Sequence, residues 1–337
     1  MASPQQIKPL AFTMGEPAGV GPELIARLWQ GQQNLKIDPF VYIGAPEALF
    51  AASPKIPVEV ISDIGDIPTL FSKAVPCIPA SLDSEIILGE PTPLNGPAVI
   101  ASIKQAVDLA LSEEVAGIVT APIQKSVLYK AGFDAPGHTE FLARLCGEND
   151  DTAVMMLASD DMRVVPVTIH IPICEVPAAL TASKIFHTGM ALNHDLKKRF
   201  GVEAPKIAVA GLNPHAGEDG AIGVEEATHI RPAIWDLRDN GVDVTDPLPA
   251  DTLFHEEARA KYDAVLCMYH DQALVPLKTL DFWSGVNVTL GLPLIRTSPD
   301  HGTALDLAGR GIARLDSMLA ATKMARLMAE TVSAKRG

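Results

Sequence analysis

The chain has 337 residues, 47% of them hydrophobic, and a single core stops growing beyond roughly 250–300 residues, so two domains are expected. Charged residues make up 20% and the formal net charge is −14, which argues against nucleic-acid binding while leaving room for a small anion held by local cations. No run approaches the roughly 18 apolar residues of a membrane span, residues 1–8 lack a signal-peptide core, and Cys77, Cys146, Cys174 and Cys267 form no CxxC pair, so a cytoplasmic protein with reduced, mostly buried thiols and no membrane partner is expected.

Residues 9–14 predict a strand, 22–30 a helix with Pro22 in its first turn, and 39–44 a second strand. Residues 51–97 are proline-rich and poorly periodic, which predicts loops with short strands and an antiparallel excursion. Helical spacing returns over 98–113, with Ile103, Ala106, Val107 and Ala110 on one side, and 115–121 reads as a buried strand. A short helix is expected over 141–146. Beyond it come a strand over 164–170, a helix over 183–200, a strand over 207–212, a helix over 227–240, a strand over 264–269 and a helix over 315–334. Alternation of this kind predicts an α/β fold, two α/β/α domains with largely parallel sheets.

Four groups of residues stand out. The loop from Gly15 to Glu23 lies between strand and helix, where phosphate loops occur, yet Gly19-x-Gly21 is followed by Leu24 and the Rossmann fingerprint fails; ligand contact and a tight structural turn both fit. In Gly137-His138-Thr139-Glu140, Thr139 suits a helix cap and His138 suits an anion at the same helix end. His170, His215 and His270 each end an apolar strand-like run. Parallel strands present their carboxyl ends along one edge, so the three imidazoles fit an open metal site there; hydrogen-bonded structural roles are the alternative. Asp271 is placed to orient such a ligand. Lys278, Asn287 and Arg296 are polar or cationic residues within apolar sequence, so each needs a partner, either a ligand anion or an internal carboxylate. His187, His194, His229 and His255 sit in polar context and read as solvated, whereas His301 precedes a glycine in a loop suited to ligand contact.

These stretches, together with Gly211–Glu218, Leu248–Phe254, Met268–Gln272, Val286–Pro293, Ile295–Ser298 and Asp300–Ala304, resemble the PdxA family of 4-hydroxythreonine-4-phosphate dehydrogenases of vitamin B6 synthesis over nearly the whole chain. The resemblance implies a fold like that of isocitrate and isopropylmalate dehydrogenases. One domain would comprise 1–133 with 291–337 and the other 134–290, with the active site in the cleft between them. It implies that His170, His215 and His270 bind one divalent metal (Zn, Mg, Mn or Co), and that His138, Thr139, Lys278, Asn287 and Arg296 contact a small phosphorylated amino-acid substrate. NAD or NADP would bind without the Rossmann fingerprint. By analogy with the His-Gly-Ser/Thr-Ala loop of those relatives, Gly302 and Thr303 are the expected nucleotide contacts. Asp251 and Asp271 are candidates for proton transfer or for orienting the metal site. A homodimer with the active site at its interface is implied as well. The alternatives are oxidation of a four-carbon sugar-acid phosphate (D-threonate or D-erythronate 4-phosphate) or of a cyclic dihydrodiol, and, outside the class, a zinc hydrolase.

Overall fold

The computed structural model describes residues 8–336, so most of the expected polar N-terminal stretch 1–8 lies outside the described residues. Its strands are β1 (Leu10–Thr13), β2 (Phe40–Ile43), β3 (Val58–Val60), β4 (Val75–Ile78), β5 (Gly117–Thr120), β6 (Val154–Ala158), β7 (Arg163–Thr168), β8 (Lys206–Ala210), β9 (Asp243–Leu248), β10 (Ala264–Tyr269), β11 (Val286–Leu290) and β12 (Arg296–Pro299). The helices that matter to the site are α1 (Gly21–Gln30), α2 (Gly96–Leu111), α3 (His138–Leu145), α4 (Ala182–Phe200), α5 (Arg231–Asp239), α6 (His270–Leu280) and α7 (Asp316–Arg336). No described helix is long and apolar enough to cross a membrane.

The chain forms two compact units, 1–151 with 292–337, and 152–291. Residues 134–151, which the sequence reading places in the second domain, belong to the first unit. Phe141 of α3 packs edge-on against Phe133 at 4.8 Å, and Arg144 reaches Asp150 at 2.8 Å, both within that unit.

In the first unit the strand order is β3-β4-β2-β1-β5-β12, and the five pairs it contains are all parallel. β1, β2, β5 and β12 are buried throughout, the mark of parallel strands covered on both faces. Phe12, Phe40 and Phe71 stack in sequence at 4.4 and 4.8 Å. The antiparallel excursion expected within 51–97 is not a strand there: β3 and β4 pair parallel, and the antiparallel contact is one bridge between Ile87 and Glu90.

The second unit has the order β11-β6-β7-β10-β8-β9. Here β6 runs against both β11 and β7, and the rest is parallel. The β6–β7 turn spans only 159–162, too short for a parallel crossover, which needs a dozen or more residues. Leu157, Val164, Ala208, Val265 and Cys267 form its core with Ala273 and Leu277 of α6. The expected helix 227–240 is split into a π-type turn, Glu226–Ile230, followed by α5. Pro232 carries no N–H for the ordinary ladder at that point. Two cysteines rather than most are buried, Cys77 and Cys267; burial pushes both thiols up and leaves them unreactive.

Candidate active site

Strands β7, β10 and β8 are neighbours in that order and all parallel, so their carboxyl ends share one edge. His270 follows the central strand directly and opens α6. His170 lies two residues beyond β7 in a left-handed conformation, φ 54°, and His215 leaves β8 through Gly211–Pro214. Hydrogen bonds stitch the three exits together. Thr168 Oγ1 donates to the Met268 carbonyl at 2.8 Å. The buried Gln272 donates from Nε2 to the Gly211 carbonyl and accepts from the Met268 amide, both at 2.7 Å.

The His170 and His270 rings lie 5.7 Å apart between centroids, a spacing at which two imidazole nitrogens can share one ion. His270 Nδ1 donates to Asp271 Oδ1 at 2.8 Å, which fixes the tautomer and leaves the Nε2 lone pair for a metal. His170, Ile173, Tyr269, His270 and Asp271 line an open recess of about 230 Å³. The donor chemistry therefore fits a divalent ion. Within one chain, among the described residues, no three His, Cys, Asp or Glu side chains gather closely enough to hold one; the structure brings His170 and His270 together and leaves His215 in the turn after the flanking strand β8.

The turn that carries His215 has an unusual backbone. Five consecutive residues, His215, Ala216, Gly217, Glu218 and Asp219, have φ between 44° and 80°. Left-handed conformation costs a non-glycine residue about 1–2 kcal/mol, and four of these five have side chains. The Ala250–Thr252 turn packs against it and brings the exposed Asp251 to the same edge, beyond β9.

In the first unit, Arg296 opens β12 and is 3% exposed. Its Nε and Nη2 donate to Thr120 Oγ1 at 3.0 and 2.8 Å, and burial lowers its guanidinium to about 10. His138 begins α3. Burial first, then the positive charges of Arg296 and Lys125, hold its imidazole well below the usual histidine range, so it is neutral at pH 7. Its Nε2 is sealed from solvent without a hydrogen-bond partner. Thr139 does not cap α3: Gly137 occupies the cap position with no side-chain hydrogen bond, and Thr139 sits inside the first turn.

Lys278 lies on α6 with its ammonium 5.5 Å over the Phe282 ring, and Asn287 on β11 has a buried Oδ1 without a hydrogen-bond partner. In the loop after β12, Gly302 is open, with nothing within 4 Å of the point where a side chain would begin. Thr303 is buried; its hydroxyl donates to Gln124 Oε1 at 2.9 Å and its carbonyl accepts from the Val20 amide at 3.0 Å. The first loop is a structural turn. Gly15 has φ +66° and a side chain there would lie 2.6 Å from the Pro122 carbonyl. Glu16 and Glu23 are buried beside the amino end of α1, where a phosphate would meet two carboxylates. His187, His194 and His255 are exposed, in line with their polar context, while His229 in the π-type turn is partly buried.

Three residues of the site escaped sequence reasoning: Lys125, Gln272 and Glu226. Lys125 reads as an ordinary helix lysine, and the two others as surface polars. A signal was nonetheless present in Gln272, the third polar residue in a row after a fully apolar strand.

The profile described as pyridoxal phosphate biosynthetic protein PdxA matches residues 36–325. A Caulobacter vibrioides protein named 4-hydroxythreonine-4-phosphate dehydrogenase is 49% identical over 336 residues, covering 98% of this chain and 99% of its own. The crystal structure of 4-hydroxythreonine-4-phosphate dehydrogenase from Klebsiella pneumoniae superposes with a TM-score of 0.85 at 36% identity, covering 96% of this chain and 99% of that one. A terephthalate 1,2-cis-dihydrodiol dehydrogenase from Burkholderia xenovorans, with a TM-score of 0.67 and 23% identity over 97% of this chain and 99% of its own, shares the fold. With a profile match over most of its length and near-half identity to a full-length relative, this chain belongs to the PdxA family.

Proposed function

We propose that the chain is the NAD(P)-dependent oxidoreductase that converts 4-phosphohydroxy-L-threonine to 2-amino-3-oxo-4-phosphohydroxybutanoate in pyridoxal phosphate biosynthesis. That β-keto acid then loses CO₂ to give 3-amino-2-oxopropyl phosphate. The observation that carries the reading is the set of imidazoles at adjacent parallel strand ends, with His270 oriented by Asp271, in a chain of this family. When bound, a nicotinamide cofactor supplies the hydride acceptor and a divalent ion supplies Lewis-acid polarisation of the substrate hydroxyl.

His170, His215 and His270 would hold the ion, and three neutral imidazoles favour Zn or Co over Mg or Mn. Arg296 and Lys278 hold the anionic groups of the substrate through charge-assisted hydrogen bonds. His138, neutral and with a free ring nitrogen, serves as a hydrogen-bonding partner rather than a third cation. Thr139 and Asn287 complete the substrate contacts, and Asn287 has an acceptor oxygen to spare. Asp271 keeps His270 in its binding tautomer, and Asp251 is the candidate proton carrier beside the His215 turn. Gly302 is the nucleotide contact we favour, with Thr303 fixing the loop from beneath. Trp235, Val275, Phe282 and Trp283 of the second unit are each at least half exposed, apolar surface that suits a homodimer contact. A cytoplasmic site of action agrees with the four free thiols.

The test is steady-state formation of NADH or NADPH from 4-phosphohydroxy-L-threonine with each metal added in turn. Turnover on that substrate well above that on D-threonate 4-phosphate, D-erythronate 4-phosphate or a cyclic dihydrodiol is expected. Preference for one of those compounds moves the assignment within the fold, and absence of any reduced nucleotide defeats it in favour of hydrolysis.

A further inference from the structure

The strained turn that carries His215 has little core to hold it. His215, Glu218, Asp219 and Gly220 are exposed, and of its residues Gly217 alone is buried. Beyond its own backbone hydrogen bonds, its upstream end is gripped by carboxylates, chiefly the buried Glu226. Glu226, 3% exposed, accepts the Asn213 amide on Oε1 at 2.8 Å and the Asn213 side-chain amide on Oε2 at 2.9 Å. The same Asn213 nitrogen also donates to Glu225 Oε2 at 2.7 Å. Three glycines clear the space for this clamp. A side chain on Gly217 would lie 2.5 Å from Glu226 Oε2, one on Gly211 3.3 Å from Oε1, and one on Gly223 2.2 Å from Asn213 Nδ2. Glu226 in turn opens the π-type turn before α5, an irregularity frequent at functional sites.

We propose that Glu226 is a positioning residue for His215: its buried carboxylate, gripping Asn213 two residues upstream, holds the left-handed turn in the one conformation that presents the His215 imidazole at the strand-end edge. The inference rests on His215 being a metal ligand, as proposed above. The carboxylate matters for its two acceptor oxygens. A glutamine keeps the shape but turns an N–H₂ group toward one of the two Asn213 donors, so one bond is lost and two donors face each other. The clamp also accounts for the spacing of the motif, because Gly211, Asn213, Gly217, Gly223 and Glu226 all meet at one point.

The experiment is titration of the metal-free, full-length protein with Co²⁺, read by its visible absorption bands, for wild type, E226Q, N213A and H215A, with melting temperatures recorded without metal. E226Q is expected to weaken Co²⁺ binding by about tenfold to a hundredfold, the range seen when an outer-shell partner of a ligand is lost, and to alter the band intensities at saturation. The melting temperature is expected to stay near that of wild type, which separates positioning from folding. A Co²⁺ affinity for E226Q within about twofold of wild type, with H215A weakened, overturns the proposal and leaves the metal reading standing. A wild-type affinity for H215A overturns the metal reading itself. Should E226Q fail to fold, N213A, which strips the side-chain bonds and keeps the backbone bond, decides the matter by the same affinity criterion.

Discussion

The loop after β1 and the turn after β8 look alike in sequence. Each follows a parallel strand, each carries several glycines, and each is served by a buried glutamate. Their backbones differ. Between Gly15 and Glu23, positive φ falls on Gly15 alone, which bears it without steric penalty, and Glu16 closes on its own loop through the Ala18 amide. After β8, positive φ falls on His215, Ala216, Glu218 and Asp219, residues strained by it, and the glutamate that holds them comes from eleven residues beyond His215. Strain borne by glycine serves architecture; strain borne by residues with side chains, maintained by a distant carboxylate, marks a site under functional demand.

The largest effect that would sharpen this contrast is at the metal edge. His270→Ala is expected to lower kcat/KM by about a thousandfold, the scale of several kcal/mol of charge stabilisation, with little change in melting temperature because the ring is only partly buried. Retained turnover would break the comparison at once. Next comes Gly15→Ala, which forces a side chain into φ +66° against the Pro122 carbonyl and should cost about 1–3 kcal/mol in urea unfolding, with Co²⁺ binding untouched. Ala216→Gly works in the opposite sense. It relieves one left-handed residue and should leave the protein up to about 1 kcal/mol more stable, so a loss of stability would show the turn is not strained.

The smallest effect is a pH dependence. Burial raises the Glu16 carboxyl above its ordinary range, more than the Ala18 hydrogen bond lowers it. The folded state therefore holds this proton more tightly than the unfolded one. The stabilisation is complete at acid pH, below the ordinary glutamate range, and is lost as pH rises through the raised value. Glu16→Gln removes that dependence while keeping the acceptor oxygen. The variant should gain on wild type as melting is followed from about pH 4 to about pH 8, and parallel curves would count against a buried, proton-binding Glu16.

The α/β class and the strand-end histidines were legible because both rest on long apolar runs that end at one polar residue. The family was legible too, since its motifs survive intact in order. What was not legible depended on geometry remote in sequence. β6 runs antiparallel because a four-residue turn leaves no alternative, yet its residues read like any buried strand. Thr139 resembles a cap by type, and only the backbone shows that Gly137 takes that position. Glu226 and Gln272 carry polar side chains that sequence alone assigns to the surface; the folded chain buries both and commits their polar atoms to neighbouring turns.

The ends of the second unit have a consequence for how such a protein can be built. Gly291, its last residue, has φ +81°, and a side chain there would lie 2.2 Å from the carbonyl of Thr152, its first residue. The Gly291 amide is pinned by Asp195, which forms a buried ion pair with Arg199 on α4 at 3.2 Å. Chain therefore enters and leaves this unit, residues 152–291, through a single doorway, the arrangement that tolerates insertion and excision best. The segment carries His170, His215 and His270 together with its own core, so its two adjoining ends are the natural place to cut and rejoin the chain.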